Sequence, residues 1–124
     1  MPIITRLAAA LLLVAASCGT AYAEDDLAAG KSQFNKCAAC HSIKAGENKI
    51  GPSLNGIVGR PSHSVAGFNY SPAMQAYTVT WDEATLDHYL IDPRATVPGT
   101  KMIFPGLRNE ADRKNLIAYL ATLK

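Results

Sequence analysis

The segment Cys37-Ala-Ala-Cys40-His41 constrains this chain more than any other. Its two cysteines are three positions apart and a histidine follows directly, so the three side chains share one face if the segment is helical. Two thiols at this spacing can add across the two vinyl groups of a haem, and the adjacent imidazole can then reach the iron. Cys-x-x-Cys-His is the attachment signature of c-type haem. The segment therefore predicts one haem c, covalently held by Cys37 and Cys40, with His41 as an axial ligand of the iron.

Three other uses of this motif are less consistent with the rest of the chain. A zinc site needs two further ligands, but the sequence has neither a second cysteine pair nor two histidines at metal-binding spacing. A thioredoxin-like redox pair should follow a strand in a βαβ unit, and no such pattern precedes Cys37. A disulfide between residues three apart would close a very small loop and stabilise little.

The first 23 residues predict a secretory signal peptide. Arg6 supplies a positive charge, an unbroken apolar run follows from Leu7 to Ala16, and Ala21-Tyr22-Ala23 forms a cleavage site. The run is too short to cross about 30 Å of hydrocarbon as a helix, which argues against an uncleaved membrane anchor. Cleavage would leave residues 24–124 as one small domain and would reduce the formal charge from +2 to +1. So small a charge gives no indication of nucleic-acid binding.

Three helices are predicted in residues 24–124. Asp26 can cap the first, along which Leu27, Gly30, Phe34 and Cys37 recur at helical spacing. The second is expected to open at Thr80, with Glu83 three residues later as in a capping box, and to stop at Asp92-Pro93. The third is expected to open near Asn109, and its apolar stripe comprises Leu116, Tyr119, Leu120 and Leu123.

About forty residues, roughly 41–79, separate the first two helices and are rich in glycine and proline. A loop of this length is unusual in a small domain unless something else organises it. The three helices also carry few large apolar residues, and a domain of this size with so small a core needs a cofactor, a metal or disulfides. We therefore expect an all-α domain with the haem as its core.

The iron needs a sixth ligand, for which Met74, Met102, His63 and His88 are candidates. Met102 lies in Val-Pro-Gly-Thr-Lys-Met-Ile-Phe-Pro-Gly-Leu, between two Pro-Gly pairs, where a loop can bring a thioether over a flat ligand. Met74 is better explained as a gap-filling loop residue, and the two histidines as surface residues. Met102 is therefore the predicted ligand.

The chain resembles the class I cytochromes c over nearly all of residues 30–120. The resemblance is carried, in order and spacing, by GKSQFNKCAACH, GPSLNGIVGR, GFNYSPA, WDEATLDHYLIDP, VPGTKMIFPGL and ADRKNLIAYL. It implies the all-α class I cytochrome c fold for residues 24–124, with three main helices and long loops around one covalently bound haem. Together with the signal peptide, it implies a bacterial periplasmic protein.

The resemblance also implies roles for individual residues. Met102 would be the sixth ligand, and the carbonyl of Pro52 would accept the second imidazole N–H of His41. Three residues lie where the family hydrogen-bonds the haem propionates, namely Arg60, Tyr70 and Trp81. Tyr89 and Thr100 match positions that bond near the methionine sulfur. Gly30 and Phe34 match residues that pack on the last helix near Tyr119.

The implied function is outer-sphere transfer of one electron, not enzymatic catalysis. The leading hypothesis is a monomeric periplasmic carrier, without stable membrane insertion, that shuttles between a membrane quinol–cytochrome c reductase and a terminal oxidase or photosynthetic reaction centre. One alternative is an electron-accepting module of a periplasmic dehydrogenase; another is a haem enzyme or ligand sensor with an open sixth position. Basic residues expected around the haem edge could steer transient docking to acidic partners, and these are Lys36, Lys44, Lys49, Arg94 and Lys101.

Overall fold

A computed structural model describes residues 26–124, and the predicted signal peptide lies outside this range. Within it the chain forms five helices and one isolated antiparallel β-bridge, between Pro61 and Thr80. The helices are α1 (Leu27–Ala38), α2 (Pro72–Ala76), α3 (Glu83–Ile91), α4 (Pro93–Thr96) and α5 (Glu110–Ala121). The expectation of an all-α domain with three main helices is confirmed, since α1, α3 and α5 correspond to the predicted helices. The short helices α2 and α4 were not predicted.

Two of the three predicted helix starts are confirmed. The Asp26 side chain accepts a hydrogen bond from the backbone N–H of Ala29, and Asn109 accepts one from Asp112. The prediction that Thr80 caps the second helix is wrong. Thr80 lies in the β-bridge with Pro61, which keeps the chain extended, and Asp82 is the N-cap instead.

Serine or aspartate caps followed by proline start the two short helices. Ser71 precedes Pro72 at the start of α2, and Asp92 precedes Pro93 at the start of α4. Asp92 also ends α3, as predicted, and its side chain then accepts a hydrogen bond from Ala95. A proline at the first helical position has the required φ and lacks an N–H that would otherwise need a partner.

Helices α1 and α5 pack directly on each other. A Cβ atom on Gly30 would collide with the backbone carbonyl of Asn115 and would lie 2.9 Å from the Cβ of Tyr119. Phe34, one turn further along α1, packs its ring on that of Tyr119 with the centroids 5.6 Å apart. The expected close approach at Gly30 and Phe34 is therefore present, and it holds the end of α1, where the cysteines lie, against the rest of the domain.

The hydrophobic core lies between α1, α3, α5 and the long loops. Its buried members include Phe34, Trp81, Leu86, Tyr89, Leu90, Val97, Leu107, Leu116, Ile117 and Leu120. Cys37, Met74, Met102 and Phe104 are only partly buried and pack against this cluster. No helix within residues 26–124 is both long and apolar enough to cross a membrane.

Candidate haem-binding site

Cys37, Cys40 and His41 lie at the carboxyl end of α1. Cys37 is in its last turn, whereas Cys40 and His41 follow the helix in a turn in which both their N–H groups donate to the carbonyl of Cys37, at 3.0 and 2.9 Å. Both cysteines are free thiols. The motif is thus held by local backbone hydrogen bonds with its two sulfurs available for attachment.

Burial raises the pKa of Cys37 to about 11, against a smaller opposing effect of Lys36. Its thiol is therefore protonated near neutral pH. Catalytic and redox-active cysteines instead have a lowered pKa, because the thiolate is the reactive form. The surroundings of Cys37 consequently disfavour a thioredoxin-like role. Among residues 26–124, no cluster of three or more His, Cys, Asp or Glu side chains could hold a metal ion.

The His41 ring is oriented by one hydrogen bond. Its Nδ1 lies 2.7 Å from the carbonyl oxygen of Pro52, and because a carbonyl can only accept, Nδ1 carries the proton. The lone pair of the neutral ring is then on Nε2, where an iron can bind it. Burial lowers the pKa of His41, and this outweighs the opposing effect of the Pro52 bond, so the neutral, metal-binding form is favoured.

The segment that follows His41 fixes the position of Pro52. The N–H of Gly51 donates to the carbonyl of Cys40 at 2.7 Å, and that of Leu54 donates to Ser42 at 2.8 Å. A Cβ atom on Gly51 would lie 2.6 Å from Nδ1 and 2.8 Å from Nε2 of His41. Since real Cβ atoms do not approach other atoms this closely, the imidazole can lie here only against a glycine.

Arg60 and Trp81 are brought together by antiparallel backbone pairing. The N–H of Trp81 donates to the carbonyl of Arg60 at 2.9 Å, and that of Gly59 donates to Trp81 at 2.7 Å. The Nη1 atom of Arg60 donates to the carbonyls of Ser53 and Asn55 at 2.9 and 3.0 Å. Its Nε atom is buried and has no hydrogen-bond partner among the described residues.

An unpaired buried donor on a cation is costly, so its presence indicates that an acceptor belongs there. A haem carboxylate would supply that acceptor. Burial also lowers the pKa of Arg60, partly offset by nearby Tyr70, but a guanidinium remains charged at any ordinary pH. The environment of Arg60 therefore fits an anionic group and is not that of a solvated surface charge.

Tyr70 and Trp81 make contacts of a different kind. The hydroxyl of Tyr70 accepts a hydrogen bond from the backbone of Val65 at 3.0 Å, which anchors its loop. The Trp81 ring is buried against Tyr89 and Tyr77, with centroids 4.9 and 5.9 Å away. The structure thus places both residues near Arg60 but shows them chiefly as a loop anchor and a core aromatic.

Thr100 lies between Tyr89 and Met102. The N–H of Met102 donates to Thr100 Oγ1 at 3.2 Å, and the same side chain is close enough to the Tyr89 hydroxyl to influence its pKa. Burial raises the pKa of Tyr89 to about 12, so its hydroxyl stays neutral. Met102 is partly buried in the loop between α4 and α5 and packs against the core. The two residues that the resemblance placed near the methionine, Tyr89 and Thr100, are therefore neighbours of each other, and Thr100 contacts Met102.

The five basic residues predicted for docking are all exposed. Three of them are held by backbone carbonyls, Lys49 by Ala38, Arg94 by Ile103 and Lys101 by Asn69, at 3.0 to 3.1 Å. Two large apolar side chains next to these residues were not predicted, Ile50 at 82% exposed and Ile103 at 77%. The signal that could have found them is an isoleucine within two residues of a lysine in a turn-rich segment.

Comparison with known proteins identifies the family. The family model described as Cytochrome c matches residues 27–124. The chain is 49% identical over 114 residues to cytochrome c-554 of Methylosinus trichosporium, which covers 91% of this chain and 86% of the relative. It is 54% identical over 97 residues to cytochrome c2 of Rhodoblastus acidophilus, covering 77% of this chain and 91% of the relative.

A solved structure gives the same result. Cytochrome cH from Methylobacterium extorquens superposes with a TM-score of 0.74 at 42% identity, covering 78% of this chain and 98% of that one. The free thiols, the ring of His41 against Gly51, and the unpaired nitrogen of Arg60 all fit a covalently attached haem. This chain belongs to the cytochrome c family, as a class I member that carries one haem c and transfers single electrons.

Proposed function

We propose that this cytochrome c is a periplasmic carrier that takes an electron from a membrane quinol–cytochrome c reductase and delivers it to a terminal oxidase or a photosynthetic reaction centre. When bound, the haem supplies an iron that alternates between the ferric and ferrous states. Two observations support the proposal: His41, after α1, has the lone pair of its neutral ring on Nε2, and Met102, after α4, is partly buried against the core. If both bind the iron, no position would be open for a substrate, which favours a carrier over an enzyme.

Four residues would hold the haem in this proposal. Cys37 and Cys40 would bind it covalently, His41 would provide Nε2 to the iron, and Met102 would provide its sulfur. Ligation by histidine and methionine raises the reduction potential relative to more basic ligand pairs. The Pro52 carbonyl keeps the His41 ring in one orientation and one tautomer, at an Nδ1 to oxygen distance of 2.7 Å.

The other predicted pocket residues support the haem indirectly. Arg60 would give its free Nε to a haem carboxylate and so neutralise a charge that is otherwise costly to bury. Thr100 would hold the backbone of Met102 in place, while Tyr89 and Trp81 exclude water from the core. Tyr70 would maintain the loop beside Arg60.

Docking to redox partners would be transient. The exposed basic residues would attract acidic patches on the partner, and the exposed Ile50 and Ile103 would add apolar contact. Because the charge after signal cleavage is only +1, we expect a modest dependence of the association rate on salt. The signal peptide and the bacterial relatives support the periplasm as the site of action.

The decisive experiment is a visible absorption spectrum of the ferric protein and two variants. Sulfur ligation gives a weak band at the red end of the ferric spectrum. We expect the wild type and Met74→Ala to show this band and Met102→Ala to lack it. Met74 is a matched control, because it is also partly buried against the core.

Two outcomes would contradict the proposal. If the band survives in Met102→Ala and disappears in Met74→Ala, the ligand is Met74. If the ferrous wild type binds carbon monoxide without denaturant, the sixth position is open and a carrier role fails. Mass spectrometry of the purified protein should also show the added mass of one haem.

The choice of partners needs a separate measurement. Membranes containing the reductase and the oxidase should reduce and reoxidise the protein at rates that fall as salt is added. Purification as a stable complex with a dehydrogenase would instead support the electron-accepting module.

A further inference from the structure

Arg113 on α5 differs from the other basic residues of the described chain because its side chain is buried. The residue is 6% exposed. Its Nε donates to Oδ1 of Asp87 on α3 at 2.9 Å, and its Nη1 donates to the carbonyls of Leu107 and Arg108 at 3.0 and 2.9 Å. One guanidinium therefore joins α5, α3 and the end of the loop that contains Met102.

The Met102 loop, defined here as residues 97–109, is held mainly at its two ends. At its start, the N–H of Thr100 donates to the carbonyl of Val97, which is buried. At its end, the N–H of Leu107 donates to the carbonyl of Leu90 on α3 at 2.8 Å. Within the described chain, residues 101–106 make no backbone-to-backbone hydrogen bond. Beside Met102 the loop is bonded to other segments of the described chain only by two exposed side chains, Arg94 to the carbonyl of Ile103 and Lys101 to that of Asn69. The position of Met102 consequently depends strongly on how firmly the buried ends are fixed.

The guanidinium of Arg113 holds the downstream end of the Met102 loop through the carbonyls of Leu107 and Arg108. Hydrogen bonds from a charged donor are stronger than those between neutral groups, and a carbonyl left buried without a donor is costly. Leu107 itself is buried, so its carbonyl has little access to water if Arg113 is removed. Lysine cannot replace the planar array of donors that reaches two carbonyls and a carboxylate together.

We propose that Arg113 is a positioning residue for the sixth iron ligand. Its guanidinium holds the downstream end of the Met102 loop against α3 and α5, and this keeps the methionine sulfur on the iron. The inference rests on the proposed ligation by Met102.

The test measures displacement of the methionine by added imidazole in the ferric holoprotein, followed through the weak red band. Arg113→Met removes all the donors while keeping a long apolar side chain. Because two charge-assisted hydrogen bonds to the loop are lost, we expect the apparent affinity for imidazole to rise by about tenfold or more. Far-ultraviolet circular dichroism under the same conditions should show that the helices are intact.

Two variants serve as controls. Lys114→Gln removes the exposed ion pair with Glu110 on the same helix and keeps all the bonds of Arg113, and it should bind imidazole like the wild type. Asp87→Asn keeps an acceptor for Nε and leaves both carbonyl bonds in place, so its affinity should rise by less than that of Arg113→Met. If Arg113→Met does not fold, Arg113→Lys takes its place, with a smaller rise expected.

The outcomes separate this inference from the ligand assignment. If the wild type itself lacks the red band, the assignment of Met102 is wrong. If the wild type has the band but the arginine variant binds imidazole as the wild type does, Arg113 does not position the loop. If Arg113→Met loses the red band only when its helical circular dichroism signal is also lost, Arg113 has a purely structural role. That result would also overturn the inference.

Discussion

The carbonyl oxygen of Pro52 lies 2.7 Å from Nδ1 of His41. Gly51, the residue before this proline, lies directly against the imidazole ring. The two features act together. The hydrogen bond sets the tautomer and the direction of the ring, while the missing side chain at position 51 provides the space that the ring occupies.

Gly51→Ala should therefore displace the His41 ring. The added Cβ would lie 2.6 Å from Nδ1, and such overpacking costs about 1 to 3 kcal/mol of unfolding free energy. We expect the free energy of unfolding, measured by denaturation in guanidinium chloride, to fall by this amount. The reduction potential should also change. Ile50→Ala is the control, since this neighbour is 82% exposed. Equal stability and potential in the two variants would disprove the close fit.

Gly30→Ala should separate α1 from α5. The new methyl group would collide with the carbonyl of Asn115, and we expect a net loss of about 1 to 3 kcal/mol in spite of alanine's higher helix propensity. Lys31→Ala on the exposed side of the same helix should change stability by less than about 0.5 kcal/mol. Denaturant unfolding followed by circular dichroism provides the comparison, and a stabilised Gly30→Ala variant would rule out the contact.

Arg60→Met should lower the reduction potential. A positive charge near the haem disfavours the ferric state, so its removal makes oxidation easier. If the redox equilibrium changes tenfold, the reduction potential falls by an amount on the order of 60 mV. Arg108→Met changes the net charge equally from an exposed position and should have a much smaller effect. Potentiometric titration of both variants decides the matter: similar shifts would mean that Arg60 acts only through net charge.

The cap at Asp82 predicts a specific dependence on acid. The hydrogen bond from the backbone N–H of Thr85, with a smaller effect of the nearby Thr85 hydroxyl, lowers the pKa of Asp82 below its usual value of 3.8. A carboxylate with a lowered pKa stabilises the fold above its unfolded-state pKa and loses that contribution as the pH falls through the folded-state value. The stability of Asp82→Asn should therefore fall less between pH 5 and pH 2 than that of the wild type. An NMR titration giving Asp82 an ordinary or raised pKa would contradict this.

The cofactor and two helix starts could be predicted from the sequence because they depend on residues close together in the chain. The spacing of Cys37, Cys40 and His41 defines a haem attachment site, and Asp26 and Asn109 cap the helices that they precede. The resemblance to class I cytochromes c added the Pro52 contact and the grouping of Thr100 with Tyr89. These are distant in sequence and could not be derived from local pattern.

Other features were decided only by the tertiary structure. Pairing of residues 60 and 81 extends the chain past Thr80, and this moves the helix start to Asp82. The unpaired nitrogen of Arg60 and the burial of Arg113 arise where loops and helices that are distant in sequence come into contact. Capping and motif spacing depend on short-range geometry, which a sequence displays directly. Burial and the pairing of charges depend on which distant segments meet, and that is fixed only when the whole chain has packed.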